Sequence, residues 1–95
     1  MTYKLFYHPD IPKDDLVQIP KNIIARIRKA IEQRLAIDPA KYGEPLKRGL
    51  QGYRKLRVGD YRVIYKIDKE NMIILKIGHR KEVYKKAHLR SGKYS

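Results

Sequence analysis

The sequence predicts an α+β fold in which a strand and two helices precede a β-meander, forming a small sandwich with helices on one sheet face. Two observations carry this. Ile23, Ile24, Ile27, Ile31 and Leu35 share one face at the helical period. After Gly49 the apolar period changes to two, across Tyr53–Val58, Tyr61–Ile67 and Met72–Ile77. Ninety-five residues suffice for one domain with one core, and no linker, repeat or low-complexity tract divides them. Residues 1–95 therefore read as a single domain.

Each element has a local reason. Tyr3 to His8 is aromatic and apolar and reads as a short strand, broken by Pro9, Asp10 and Pro12. Lys13 to Ile19 forms a helical turn opened by Asp14 and Asp15, whose charges suit a helix N-terminus. Pro20 fits the first turn of the second helix, where its missing N–H costs nothing. Arg26, Arg28, Lys29 and Arg34 lie mostly off the apolar stripe and read as a solvated face. Asp38-Pro39 ends that helix, and Tyr42-Gly43-Glu44-Pro45 continues as loop. Gly59-Asp60 and Asp68 to Asn71 are the turns of the meander. From Arg80 the tail begins as a short helix carrying Val83, Tyr84 and Ala87, then turns polar and frays at Ser91-Gly92.

Composition narrows the function. Lys and Arg number 23 against 10 Asp and Glu, a net charge of +13, which points to a polyanion or an acidic protein as partner. With no cysteine, disulfides and thiolate chemistry are excluded, and a reducing cytoplasm is the natural setting. His8, His79 and His88 are too scattered for a zinc site, so no metal or cofactor is expected. The opening residues are too polar for a signal peptide, and no stretch approaches the ~20 apolar residues that span a bilayer, so no membrane is expected.

The first hairpin brings the charges together. A two-residue loop at Gly59-Asp60 sets Val58 opposite Tyr61, Arg57 opposite Arg62, Leu56 opposite Val63 and Lys55 opposite Ile64. Leu56, Val58, Tyr61, Val63 and Tyr65 then face the Ile-rich helix, while Tyr53, Lys55, Arg57, Arg62, Ile64 and Lys66 share the other side. Like charges placed opposite each other are unfavourable unless something negative lies between them. The pattern fits a face that holds phosphate, since guanidinium forks match phosphate oxygens. It fits equally an exposed strand face on which lysine and arginine guard against aggregation. A second cluster, Gly78 to Tyr84, follows the last strand. His79 there is either a loop or capping residue or a proton-transfer group. Tyr84 either packs on the sheet or stacks on a base or moves a proton.

Among enzyme classes, a metal-independent ribonuclease survives best. No acidic metal cage, phosphate loop or nucleophile elbow is visible, and Asp68, Glu70 and Glu82 do not converge. Lys and Arg can stabilise charge on a pentacoordinate phosphate.

Pro45-Leu46, Gly49-Leu50, the run Gly52 to Tyr65 and the closing Gly78-His79-Arg80-Lys81-Glu82-Val83-Tyr84 resemble the RelE/ParE superfamily of toxin–antitoxin toxins, especially its RelE branch. The resemblance covers nearly the whole chain. It implies two N-terminal helices packed on a small antiparallel β-sheet, with a short C-terminal helix. It also implies metal-free cleavage of mRNA in the ribosomal A site, leaving a 2′,3′-cyclic phosphate. By position, Lys55 matches a catalytic strand lysine, Arg62 the strand arginine on phosphate, and Tyr84 the C-terminal tyrosine. Arg80 matches the arginine after the last strand, although the spacing differs and His79 competes for that role. Tyr53, Arg57, Lys66 and Lys81 are expected to bind RNA. One departure stands out: Tyr53 occupies a position where the family carries a second lysine, which leaves the general base open among His79, Lys55 and Tyr84. The resemblance further implies an acidic cognate antitoxin, with operator DNA bound only through the toxin–antitoxin complex. The alternatives are a ParE-like gyrase poison without nuclease activity and a non-toxic basic module that binds RNA or the ribosome.

Overall fold

A computed structural model describes residues 3–92 of the chain. Strand β1 (Lys4–Tyr7) leads into a helical segment, Ile11–Asp15, and a single tight turn, Leu16–Gln18. Helix α1 (Lys21–Ala30) follows and widens into a last turn, Ile31–Leu35. After helix α2 (Pro39–Tyr42) come strands β2 (Glu44–Pro45), β3 (Tyr53–Val58), β4 (Tyr61–Asp68) and β5 (Asn71–His79), then helix α3 (Val83–Gly92). The sheet order is β1-β5-β4-β3-β2.

The α+β class is as expected, with differences in detail, among them helices on both sheet faces rather than on one. The sheet is mixed rather than wholly antiparallel, because β1 pairs parallel with β5 at one edge. The chain leaves β1 through the helical layer and returns by way of β3 and β4, so β5 runs beside β1 in the same direction. Asp38-Pro39 ends one helix but also begins α2: the Asp38 carboxylate accepts the Lys41 amide at 3.3 Å, with Pro39 at the first helical position. Glu44-Pro45 is a short strand paired with Lys55 and Arg54, not a loop.

The sheet is apolar on both faces, and this decides where the helices go. Leu56, Val58, Val63, Tyr65, Met72, Ile74 and Ile77 form one core with Ile11, Ile19, Ile27, Ile31 and Leu35 of the helical layer. On the other face Ile64 and Leu75 form a second core with Leu50, Val83 and Ala87. Helices therefore cover both faces, because Ile64 and Leu75 would otherwise meet water and α3 supplies their cover. Gly78 eases its approach: a Cβ there would lie 3.3 Å from Val83 Cγ2 and push that side chain by a few tenths of an ångström.

A buried charge cluster fastens α3. Asp15, 3% exposed, is not a helix N-terminal charge as its position suggests. Its carboxylate accepts the Ile77 amide at 2.9 Å, two bonds from the Arg90 guanidinium at 3.0 and 3.1 Å, and the ammonium of buried Lys76. Arg90 also donates to the Leu75 carbonyl at 2.9 Å. One carboxylate thus ties the N-terminal helical segment, the uncovered half of the β5 edge and the last turn of α3. Losing one member of such a cluster strands buried charge, a cost of about 3–5 kcal/mol.

The β2 end is held by Arg54 and Tyr65. Arg54 Nη2 donates to the Ala40 carbonyl at 2.8 Å and to the Gly43 carbonyl at 2.7 Å, and the Tyr65 hydroxyl donates to the Pro39 carbonyl at 2.6 Å. Burial pushes the Tyr65 phenol above its usual range, while Arg54 draws it the other way. A Cβ at Gly43 would sit 1.7 Å from the Tyr65 hydroxyl, so only glycine permits this contact. Gly43→Ala should cost about 1–3 kcal/mol in urea unfolding. An unchanged midpoint would contradict this packing.

Candidate functional site

The β3–β4 hairpin has the register expected from its turn: Lys55 pairs with Ile64, Leu56 with Val63, Arg57 with Arg62 and Val58 with Tyr61. Gly59 takes a φ of +61°, which glycine adopts without a Cβ clash. Two guanidinium-bearing residues thus lie directly opposite on the face that also carries Lys55. Among the described residues no carboxylate lies within 4.0 Å of the Arg57 or Arg62 guanidinium.

Arg62 is held by its own turn. Its Nη1 donates to the Gly59 carbonyl at 3.0 Å and to the Tyr61 carbonyl at 2.9 Å. These bonds fix the guanidinium plane and leave the Nε and Nη2 edge, the side fork that grips an oxyanion through two parallel bonds.

Lys55 stands between two partners. Its Nζ is 3.9 Å from the Glu44 carboxylate, its cross-strand neighbour on β2, and 5.7 Å from the centre of the Tyr84 ring on α3. Lys66 lies 5.6 Å over the Tyr53 ring on the same face. Tyr53 and Tyr84 also pack partly against the second core, which fixes the height of their rings above the sheet.

Arg80 and His79 part company. The Arg80 amide donates to the Asp60 carbonyl at 2.8 Å and its Nε lies 3.9 Å from the Asp60 carboxylate, at the Arg62 end of the hairpin. His79 pairs across the sheet with Tyr61 and meets its ring edge-on at 5.6 Å. Tyr61 packs against the helical core, so His79 is on the opposite side of the sheet from Lys55 and Arg62. Its Nδ1 accepts the Lys81 amide at 3.2 Å, so a neutral ring carries its proton on Nε2. Lys81 itself is exposed in the turn before α3. The structure thus gathers Lys55, Arg57, Arg62 and Tyr84, with Tyr53 and Lys66 further along the strands, and sets His79 apart.

The sequence reading passed over Glu44, Arg34 and Tyr42. Together with Lys55, Arg57 and Arg62 they line a cleft of about 290 Å³ at the open edge of β3. The cleft wall carries four cations and one carboxylate. The missed signal was the pairing of β2: once Glu44 is opposite Lys55, the loop before it must wrap that edge. Among the described residues no His, Asp and Glu side chains cluster in the manner of a metal site, and no helix is long and apolar enough to cross a membrane.

Comparison with known proteins places this geometry. The model of the ParE toxin family of type II toxin–antitoxin systems matches residues 6–84. Toxin RelG of Mycobacterium tuberculosis is 35% identical over 74 residues, 76% of this chain and 85% of that protein. Toxin RelE of the same organism is 39% identical over 54 residues, 57% of this chain and 56% of that one. The toxin–antitoxin complex RelBE2 of M. tuberculosis contains a chain of TM-score 0.76 and 30% identity, with 84% of this chain and 100% of that chain covered. A substituted E. coli toxin RelE in the free state, 21% identical, shares the fold at TM-score 0.70 over 95% of this chain and 98% of its own. These likenesses define the class as the small toxins of two-component toxin–antitoxin modules. The chain belongs to the RelE/ParE family and is a RelE-type toxin of a type II toxin–antitoxin system.

The Arg57–Arg62 opposition has a measurable cost. Arg57→Gln should raise stability by about 0.2–1 kcal/mol in low salt, with the gain shrinking as salt screens the pair. A loss of stability on this substitution would show that the two guanidinium groups are not in mutual repulsion.

Proposed function

We propose that this toxin is a ribosome-dependent endoribonuclease that cuts mRNA without a metal ion, through attack of the 2′-oxygen on the adjacent phosphate. The observation that carries this reading is the Arg62 guanidinium. It is fixed by two carbonyls, offers its side fork, and faces an uncompensated arginine across the strands. An anionic phosphodiester supplies the charge that this face lacks.

Glu44 and Lys55 then handle the protons. The Glu44 carboxylate takes the proton of the 2′-hydroxyl as the 2′-oxygen bonds to phosphorus. The Lys55 ammonium gives a proton to the departing 5′-oxygen as the P–O5′ bond breaks. The products are a 2′,3′-cyclic phosphate and a 5′-hydroxyl, and passage of a proton from Glu44 to Lys55, 3.9 Å apart, resets the pair. Arg62 binds the equatorial oxygens as their charge grows, Arg80 adds positive charge at that end, and the Tyr84 ring stacks on a neighbouring base. Tyr53 and Lys66 extend the RNA track, Lys81 adds an exposed cation before α3, and His79 is outside the step. Tyr53 in place of a family lysine costs no proton carrier in this scheme, because Glu44 takes that part.

The partner and setting follow from charge. A net +13 favours an acidic antitoxin, and the similar chains of M. tuberculosis and Methanococcus jannaschii are in toxin–antitoxin complexes. Operator DNA would be reached through that complex, and the cysteine-free chain suits the cytoplasm.

Primer extension on mRNA in programmed ribosomes tests the reading. Wild-type chain should cut within the A-site codon, Arg62→Ala should lose about 10²–10³-fold in rate, and Glu44→Gln should lose rate with little change in apparent affinity. Intact mRNA together with trapped double-strand DNA breaks would contradict it and indicate a gyrase poison.

A further inference from the structure

Strand β2 covers only part of the edge of β3. Glu44 and Pro45 pair with Lys55 and Arg54. Continued in register, residue 43 would pair with Leu56 and residue 42 with Arg57. The chain instead turns at Gly43 into α2, which Arg54 and Tyr65 hold in place through its carbonyls. A gap is left where that strand would have run, and the cleft of about 290 Å³ is this gap. Its walls are Arg57 on β3, Tyr42 on α2 and Arg34 in the last turn after α1.

Three properties of the gap point to one kind of ligand. It opens onto Arg62, so whatever fills it is adjacent to the phosphate that Arg62 would bind. Among the described residues no carboxylate lies within 4.0 Å of the Arg34 or Arg57 guanidinium. Tyr42 is 43% exposed, and its ring already takes a cation, Lys41 Nζ, at 5.4 Å. The volume is at the lower limit of small-ligand sites, about 300 Å³, which suits a single nucleotide and no duplex.

We propose that this gap is a second nucleotide subsite: Tyr42 stacks on the base next to the scissile phosphate, and Arg34 and Arg57 grip that nucleotide's own phosphate. The proposal rests on the ribonuclease reading of the sheet face and extends it from one phosphate to two. An aromatic plate beside two guanidinium forks matches the base and phosphate of a nucleotide. An acidic peptide of Asp and Glu offers no aromatic ring to stack on Tyr42. Arg34 and Tyr42 touch neither the attacking nor the leaving oxygen, so they act on RNA affinity and on the base accepted beside the cut.

Amide NMR shifts of the full chain, titrated at low salt with an RNA trimer 2′-O-methylated at every ribose, test this directly. The methyl groups remove the nucleophile and keep bases and phosphates. Shifts are expected at Tyr42, Gly43, Glu44, Leu56 and Arg57 as well as around Arg62. Arg34→Ala and Tyr42→Ala should each weaken trimer binding by about tenfold, and Tyr42→Phe, which keeps the ring, should bind as wild type. With a 2′-O-methylated dimer lacking the second phosphate, Arg34→Ala should match wild type, while Tyr42→Ala should still bind more weakly because the stacked base is present. Shifts at Lys55 and Arg62 with none at Tyr42 to Glu44 would overturn the subsite and leave the sheet site standing. No shifts at either place would overturn the subsite, while the sheet site stands or falls by cleavage on programmed ribosomes. Saturating shifts in the gap from a hexaglutamate peptide, with none from the trimer, would assign it to an acidic protein and overturn the proposal.

Discussion

The placement of α3 depends on one buried carboxylate. Asp15 binds Arg90 through two hydrogen bonds, Lys76 through its ammonium and Ile77 through its backbone amide, with its side chain fully covered. Two cations meet one anion there, so the cluster keeps a net positive charge that only tight hydrogen bonding makes tolerable. Without it, α3 would be held mainly by Val83 and Ala87 on Ile64 and Leu75. The cluster is at the far end of α3 from Tyr84, so it fixes the direction of the whole helix. That direction brings the Tyr84 ring to 5.7 Å from Lys55.

The site face shows the opposite use of charge. At Asp15 opposite charges are buried and paired; at Arg57 and Arg62 like charges are set against each other and left to solvent. The hairpin register allows no escape from that opposition, because the same register buries Leu56, Val58 and Val63 in the helical core. Apolar burial on one side thus sustains an unfavourable pairing on the other. On the proposed reading, an RNA phosphate arriving at this face would relieve that repulsion.

Much of this was legible in the sequence. The two-residue turn at Gly59-Asp60 and the alternation around it gave the Arg57–Arg62 pair and the face of Lys55, because strand geometry has period two and no freedom once the turn is set. The closing motif gave Tyr84 and Arg80 their place after the last strand. What the alternation hid was the second core: Ile64 among Lys55, Arg57 and Arg62 looked like an isolated apolar residue on a polar face, yet it calls for a covering helix. His79 follows the same rule from the other side, since its pairing with Tyr61 sends it to the helical face. Long-range partners were invisible in principle. Asp15 and Arg90 are separated by 75 positions, and no local pattern marks Arg34 or Tyr42 as neighbours of Arg57.

The proposed ribosome-dependent mRNA cleavage, measured for an Arg90→Met chain that retains wild-type far-UV circular dichroism, tests the link from Asp15 to Tyr84 most directly. Methionine keeps apolar bulk under α3 but cannot hold Asp15, so the helix and Tyr84 lose their fixed position over Lys55. The cleavage rate should fall about 10²-fold, to the level of Tyr84→Ala. Cleavage at the wild-type rate by Arg90→Met would contradict that link.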